Sequence, residues 1–461
     1  MRNRKIRSRK LFLSIYYLLF STFILVWLIL SQGVCLGAPY TLTITANNGS
    51  VRVNPDKASY DEGEKVELIP KPDTGYCFKE WSGDAQGKRL VLILTMDSDK
   101  TIIANFQTWQ PPIGIPMPEF GIFETYRMYD DPVNRNPALT YTQNAEGGYY
   151  THYIDNTHPN ATDTSNPYGT ASKPRMTIPS PLPEGSVVEV HGGPYAIAAH
   201  YLFIEAAGTN NKPVFLRGDL SNKPKFLSTS LYLWGSYMIA ENFDFDGNGG
   251  KRSVAMVVHS TLALPEPHHA AIRNSEIHNM KPGPNAGVAI GHYDARPSSV
   301  HDLVVYNNTI YELGDWASID TTDDDYTGIK IGTHAFNIWV VDNEIYKATG
   351  SGVVVDAGGA AASSELMATT HHIYIGRNSV HNSYQAGLFS KKGVDVIFSE
   401  NIAYEIYTRM EGGSVASPSK GYGFQYGPER IWFIANTAYK CENGLFSASD
   451  SGPPGENIYI I

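Results

Sequence analysis

Two lysines, an aspartate and a glutamine recur at matching places in short apolar runs led by glycine. The runs are Gly328-Ile329-Lys330-Ile331, Gly352-Val353-Val354-Val355-Asp356, Gly387-Leu388-Phe389-Ser390-Lys391 and Gly423-Phe424-Gln425-Gly427 with Tyr426 between. If each run is a strand, alternate side chains leave on opposite faces. Setting Ile329/Ile331, Val353/Val355, Leu388/Ser390 and Phe424/Tyr426 inward puts Lys330, Asp356, Phe389, Lys391 and Gln425 on one outer face. Just before the Lys330 strand lies an acidic stretch with Asp323, Asp324 and Asp325. Its carboxylates, assisted by Asp356, suit a hard cation such as Ca²⁺, although the EF-hand pattern is missing. Such a face could remove a proton alpha to a carboxylate. A lysine whose pKa is lowered by a like charge serves as base, and a cation neutralises the developing enolate. The plainer alternative is surface lysines that keep strand edges soluble, and a solvated acidic loop paired to Lys330. His292, in Gly291-His292-Tyr293-Asp294, is a loop candidate for substrate contact beside Gln425 and Phe389.

These runs belong to a longer repeat. Asn recurs at 242, 274, 308, 343, 378, 401 and 436, each after a short apolar run. Val304-Val305-Tyr306-Asn307-Asn308-Thr309-Ile310-Tyr311 matches Trp339-Val340-Val341-Asp342-Asn343-Glu344-Ile345-Tyr346. The step is 35 residues from 308 to 343, from 343 to 378 and from 401 to 436; the step of 23 from 378 to 401 fits a coil without insertion. Self-similarity of this kind predicts a parallel β-helix over about 186–461, with coils roughly 4.8 Å apart. Asn308, Asn343 and Asn378 should then stack in one column and satisfy corner backbone groups. A β-sandwich with Asn-rich turns fits such constant spacing poorly. His278 and His381 stand where Tyr311, Tyr346, Tyr404 and Tyr439 stand in other coils, so both are expected to be structural. Insertions at 313–326, 358–370 and 410–420 frame the Lys330 face, where rigid solenoids build binding sites.

The N-terminus reads as a targeting segment. Six basic residues within the first ten precede an uncharged apolar stretch from Leu11 to Ser31 and then Cys35-Leu36-Gly37-Ala38. This suits a cleaved signal peptide, and its length also suits a retained membrane anchor. Either way the rest is expected to be exported, to the medium or the cell surface. Without those six residues the chain keeps 30 basic against 46 acidic side chains, a formal net charge of −16 in place of −10. That argues against nucleic acid as a partner. Of three cysteines, Cys77 and Cys441 fall outside the leader and in separate domains, so no disulfide framework is expected.

Residues 39–107 alternate apolar residues between Gly and Asp turns: Tyr40-Thr41-Leu42-Thr43-Ile44, Gly49-Ser50-Val51, Val66-Glu67-Leu68, Trp81-Ser82-Gly83-Asp84, and Met96-Asp97 on to Ala104-Asn105-Phe106. At these residues the segment resembles the internalin-type bacterial B-repeat. The resemblance implies a small β-grasp-like surface or spacer module on exported bacterial proteins, without catalysis. A Pro-rich linker and lead-in, 108–148, follows. Residues 149–195, with Asn166-Pro167-Tyr168-Gly169-Thr170, Thr177-Ile178 and Val187-Val188-Glu189-Val190, resemble the capping segment of secreted right-handed β-helix proteins of the pectate-lyase-like superfamily. That resemblance implies a right-handed solenoid over 149–461. At the far end Asn457-Ile458-Tyr459 aligns with Arg430-Ile431-Trp432, which suggests a piece of a longer solenoid.

The expected fold is therefore all-β: a small β-grasp-like module, then a right-handed parallel β-helix. The expected function is β-elimination of a polyuronate by Lys330 and Lys391, as the resemblance implies for some pectate-lyase-like enzymes, with Ca²⁺ on Asp323, Asp324, Asp325 and Asp356. The alternative is a non-catalytic, glycan-binding, adhesin-like surface protein. The partner in either case is an acidic polysaccharide or other glycan, and a membrane enters only through an uncleaved leader.

Overall fold

The structure, a computed structural model, describes residues 39–73, 76–87, 92–144, 148–252, 254–256, 267–281, 285–291, 299–317, 325–358, 362–448 and 455–461. The leader lies outside them. No helix among the described residues is long and apolar enough to cross a membrane. The chain divides into two units, with the boundary after Trp109.

The first unit is a small β module. Leu42–Ala46 pairs in parallel with Lys100–Thr108, which pairs antiparallel with Tyr76–Gly83. Gly49–Asn54, Lys65–Pro72 and Leu92–Thr95 make a second antiparallel sheet. Alternation drives Tyr60, Val66, Leu68, Trp81, Leu94, Met96, Ile102 and Ala104 into one core.

The second unit is a parallel β-helix, right-handed as parallel crossovers overwhelmingly are. Each full coil contributes a strand to each of three sheets. Within one coil Ala335–Val341 belongs to the second sheet, Glu344–Ala348 to the third, and Val353–Asp356 to the first of the next turn. Register is kept from coil to coil: Leu303, Ile338, Ile373, Val396 and Ile431 follow one another in the second sheet. Ile310, Ile345, Val380 and Ala403 do so in the third. These stacked columns fill a continuous apolar interior.

The corner between the second and third sheets carries the asparagine column. The backbone N–H of Asn308 donates to Asn343 Oδ1 at 3.0 Å, and its Nδ2 donates to the same oxygen and to Ile272 O. The pattern repeats through Asn378, Asn401 and Asn436. All three asparagines expected in one column are in it. Asn242 and Asn274, placed in that column by the spacing, are one residue off. Ser275 holds the ladder position above Asn308, whereas Asn242 and Asn274 align with Asn307, at φ of 64°, 55° and 52°. Two neighbouring jobs at one corner both favour asparagine, a left-handed backbone and a buried amide bridge, so spacing alone merged them.

Residues 110–144 also differ from expectation. Read as a linker and lead-in, they form an extended strap along the outer face of the second sheet. Arg377 donates to Gln110 O, Ser399 Oγ to Ile113 O, Trp339 Nε1 to Pro116 O, and Arg273 to the carbonyls of Gly121, Ile122 and Glu124. The strap finishes at the first coils, where Asn144 bonds Glu189. Beneath it Glu189, Arg217, Glu241 and Arg273 occupy successive positions of one outward column. Alternating charge lets these buried groups pair, and Tyr126 lies over Arg217 at 3.4 Å. From Gln110 to Glu124 the strap's carbonyls accept from arginine, serine and tryptophan side chains of the sheet, and the Ile113 N–H donates to Glu400.

Asn343→Ala should strand the buried N–H of Asn308 and two carbonyls, costing about 2–4 kcal/mol in chemical denaturation. Asn274→Gly, which keeps the left-handed backbone accessible, should cost under about 1 kcal/mol. Equal losses for the two would contradict the separation of the columns.

Candidate functional site

The outer faces of the other two sheets are occupied. The strap lies on the second. On the third, rings stack coil upon coil: His278 on Tyr311 at 4.7 Å, then Tyr346, His381, Tyr404 and Tyr439, all within 12° of parallel. His278 and His381 thus fill tyrosine places in a structural stack. Attention falls on the first sheet, where the candidate lysines lie.

A column of glycines opens this sheet's strands at 287, 328, 352, 387, 421 and 444. A Cβ at Gly352 would come within 2.3 Å of Val380 Cγ1, because the third sheet packs against this corner. One member of the column differs from the sequence reading. Gly421, not Gly423, aligns with Gly387, since Leu388 pairs with Tyr422 and Lys391 with Gln425. The slip of two preserves the face, because strand periodicity is two. Gln425 therefore stays outward, in the column of Asp356 and Lys391 rather than that of Lys330. Tyr426, expected inward, lies past the strand at φ 65°.

Lys330 stands in register with Val354 and Phe389. Its Nζ reaches diagonally to Asp356 Oδ2 at 3.3 Å, and both side chains are largely covered, with 26 % and 14 % exposure. Burial pushes the Lys330 pKa down. The Asp356 carboxylate pulls it back up, the Lys391 charge adds to the lowering, and the net result lies below the ordinary lysine value. Lys330, Asp356 and Lys391 are thereby brought together as expected, with Gln425 on the next coil.

Other expected site residues fall elsewhere. Phe389 is 3 % exposed and packs with Val354 and Ala386. The Lys420 ammonium lies 5.3 Å from its ring and 5.1 Å from that of Phe446, so Phe389 supports the face instead of offering a ring to a ligand. Lys420 itself, read as the end of a loop, opens the strand Lys420–Gln425 and is held by Ser417 and Pro418. Asp325 pairs with Arg409 at 3.1 Å and bonds Gln385. His292, Asp323 and Asp324 lie outside the described residues. Asp325 and Asp356, the two expected metal ligands that are described, thus each face a cation. They do not by themselves fit a Ca²⁺ cradle, which needs several uncommitted oxygens, and no step below runs through Ca²⁺.

One part of the face was missed in the sequence. Tyr201, Phe203, Tyr232 and Trp234 project from Tyr201–Ala207 and the start of Ser230–Glu241. Phe203 lies 4.7 Å from Tyr232 and 4.5 Å from Trp234, with Tyr201 about half exposed beside them. The register passes from Tyr232 through Ala255 and Ala289 to Lys330. The aromatic cluster therefore stands on the lysine column, three coils or roughly 14 Å away. The signal was available: Tyr201-Leu202-Phe203 and Tyr232-Leu233-Trp234 both put aromatics two residues apart around an inward leucine.

Residues 40–110 match the family model of the divergent InlB B-repeat domain, which identifies the first unit and leaves the rest of the chain unassigned. No curated protein matches the chain. Among solved structures it is similar to a pectate lyase, Pel9A, at 14 % identity over 66 % of this chain and 81 % of that one, with a TM-score of 0.34. It is similar to the A-module of the mannuronan C-5 epimerase AlgE4 of Azotobacter vinelandii, at 13 % identity over 60 % and 89 % of the two chains and a TM-score of 0.28. An alginate lyase from Paenibacillus sp. str. FPU-7 gives 14 % identity over 60 % and 92 %, with a TM-score of 0.24.

The Lys330 environment is open to a direct check. Competitive amine labelling followed by mass spectrometry over a pH series should titrate Lys330 below an ordinary lysine. Lys391→Gln removes a like charge and should move that titration to higher pH. Asp356→Asn removes the opposing carboxylate and should move it to lower pH. Shifts of the opposite sign would contradict the electrostatics described.

Proposed function

We propose that the outer face of the first sheet binds an acidic glycan along the coil axis and cleaves it by β-elimination beside a uronate carboxylate. The observation that carries this reading is Lys330. Its ammonium form is disfavoured by burial and by Lys391, yet its Nζ stays on the outer face, 3.3 Å from Asp356. A lysine whose ammonium form is disfavoured gives up its proton more readily than an ordinary surface lysine, which suits it to the part of a base.

In the reaction the neutral Nζ of Lys330 takes the proton from the carbon alpha to the carboxylate. The Lys391 ammonium, one coil beyond Asp356 in register, meets the carboxylate as charge builds on it. The C–H electrons form a double bond to the neighbouring carbon, whose bond to the glycosidic oxygen breaks. That oxygen leaves with a proton from Lys330 or from water. Gln425 offers an amide to the next sugar unit. The aromatic cluster gives the glycan a stacking platform three coils away. Hydrolysis is less well served, because it uses two flanking carboxyl groups and the one described aspartate of this group, Asp356, is paired with Lys330.

Several further observations support the reading. A chain with a strongly acidic balance places Lys330, Lys391 and Lys420 on one face, as an anionic ligand would require. The basic and apolar leader is consistent with export to where such polymers occur. Proteins with similar folds include a pectate lyase and an alginate lyase.

Incubation with a panel of polyuronates should generate absorbance at the ultraviolet edge from the new double bond. Lys330→Ala should lower turnover by about 10²-fold or more. Trp234→Ala should raise KM for long chains while leaving short oligomers nearly unaffected. Binding without cleavage of any acidic glycan would replace this reading with that of a non-catalytic, adhesin-like protein, to which the B-repeat unit is equally suited. Cleavage that survives both Lys330→Ala and Lys391→Ala would move the active site off this face.

A further inference from the structure

A second group of side chains, on the second sheet and unrelated to the lysine face, converges in the manner of metal ligands. A left-handed residue stands near the start of successive strands of this sheet: His269 at φ 49°, Asp302 at 54°, Asn337 at 53°, His372 at 53° and Asp395 at 54°. Such a residue breaks strand alternation like a bulge, so two consecutive side chains leave on the same side. The consequence is visible in the contacts. His268 Nδ1 meets His269 Nδ1 at 2.9 Å, and His301 Nδ1 meets Asp302 Oδ2 at 2.6 Å. Adjacent coils thus present two donor-bearing side chains each.

His269, His301 and Asp302 each offer a ligand atom within 4.8 Å of the other two. Their side chains are between 13 % and 24 % exposed, which leaves an ion an approach. The group is held in place from outside. His301 is stacked between His268 and Phe336 at 5.2 and 4.8 Å, and Asn337 Nδ2 donates to the second Asp302 oxygen at 3.0 Å. His269 is stacked on Tyr237 at 4.5 Å. A fourth donor comes from the strap, where Glu119 Oε2 lies 3.8 Å from His269 Nε2.

We propose that His269, His301 and Asp302, joined by Glu119, bind a divalent ion of the zinc class and so fasten the strap to the coil. Two imidazoles and two carboxylates suit Zn²⁺ better than Ca²⁺ or Mg²⁺, which prefer all-oxygen sets. Ligands around tetrahedral Zn²⁺ stand about 3.3 Å apart, so closure takes modest side-chain rotations and loss of the His301–Asp302 hydrogen bond. The orienting amide of Asn337 is the kind of outer partner that metal-bound carboxylates use. Asn337 and Phe336 also mark the limit of the site, since the next coil carries no ligand at these positions. His371 and His372 repeat the paired-histidine geometry two coils beyond His301, but among the described residues no third ligand atom converges with them.

The test is Zn²⁺ titration of the full chain by calorimetry, with thermal melting in Zn²⁺ and in chelator. One equivalent should bind and raise the melting temperature. His269→Gln and Asp302→Asn should each weaken that equivalent at least about 10-fold, and Asn337→Ala roughly 10-fold. His371→Gln should leave it unchanged. Replacement of Zn²⁺ by Co²⁺ should give the visible absorption of a four-coordinate site. Melting in chelator identifies any variant that has simply lost its fold, and whichever of His269→Gln and Asp302→Asn keeps the wild-type melt decides the matter. Failure of wild type to bind Zn²⁺, undiminished binding in that variant, or loss of binding in His371→Gln instead would each overturn the proposal.

Discussion

Everything on this solenoid depends on one constraint, that each coil lies in strict register on the one before. Main-chain pairing sets the rise, but pairing alone tolerates a slip. The asparagine amides do not. Each one accepts from the backbone and side chain of the coil before it and donates to a carbonyl of that preceding coil, as Asn343 does to Val305 and Asn378 to Val340. A slip of one residue at that corner would leave several buried polar groups unpaired at once, at roughly 1–3 kcal/mol apiece. The apolar columns impose the same condition, because a one-residue shift turns an entire strand inside out. A face built from single residues on separate coils, such as Lys330, Asp356 and Lys391, keeps its geometry only because this register holds.

The three outer faces then diverge according to what covers them. The third is closed by its own stacked rings. The second is closed by the strap, and the buried Glu–Arg column makes sense only with the strap in place: four charges at 8 % side-chain exposure or less would otherwise face water. Alternating sign turns that burial from a liability into a set of mutual ion pairs, with carbonyls of the strap taking further donors of the Arg273 guanidinium. Removal of one member would leave its neighbours unpaired, which costs far more than the pair contributes. The first sheet is left to carry side chains of mixed character, with aromatic rings at one end and lysines at the other.

Much of this was legible in the sequence, and the misses have physical causes. The coil period, the stack of Asn308, Asn343 and Asn378, the outward setting of Lys330, Asp356, Lys391 and Gln425, and the structural place of His278 and His381 all follow from periodicity. Periodicity of two cannot detect an even slip, so Gly423 stood in for Gly421 and Gln425 was given the wrong column. It cannot tell an exposed ring from one that another coil covers, so Phe389 looked like a ligand contact. The strap was hidden because an extended Pro-rich segment has the same local pattern whether solvent or a sheet lies beside it. Asp325 could not be recognised as an arginine partner, since Arg409 is distant in sequence and meets it only through the fold. The paired histidines depend on left-handed residues within strands, which propensity does not place.

The central claim is that the outer face of the first sheet, from the aromatic cluster to Gln425, is where a glycan lies. Amide hydrogen exchange with and without a saturating oligouronate, on a Lys330→Ala chain that does not consume it, tests this most directly. The account predicts added protection in Tyr201–Ala207, the first half of Ser230–Glu241, Tyr326–Ile331, Val353–Asp356 and Ala386–Lys391, with Val300–Tyr306 and Thr309–Leu313 unchanged. Protection confined to the second or third sheet, with none in these strands, would contradict it.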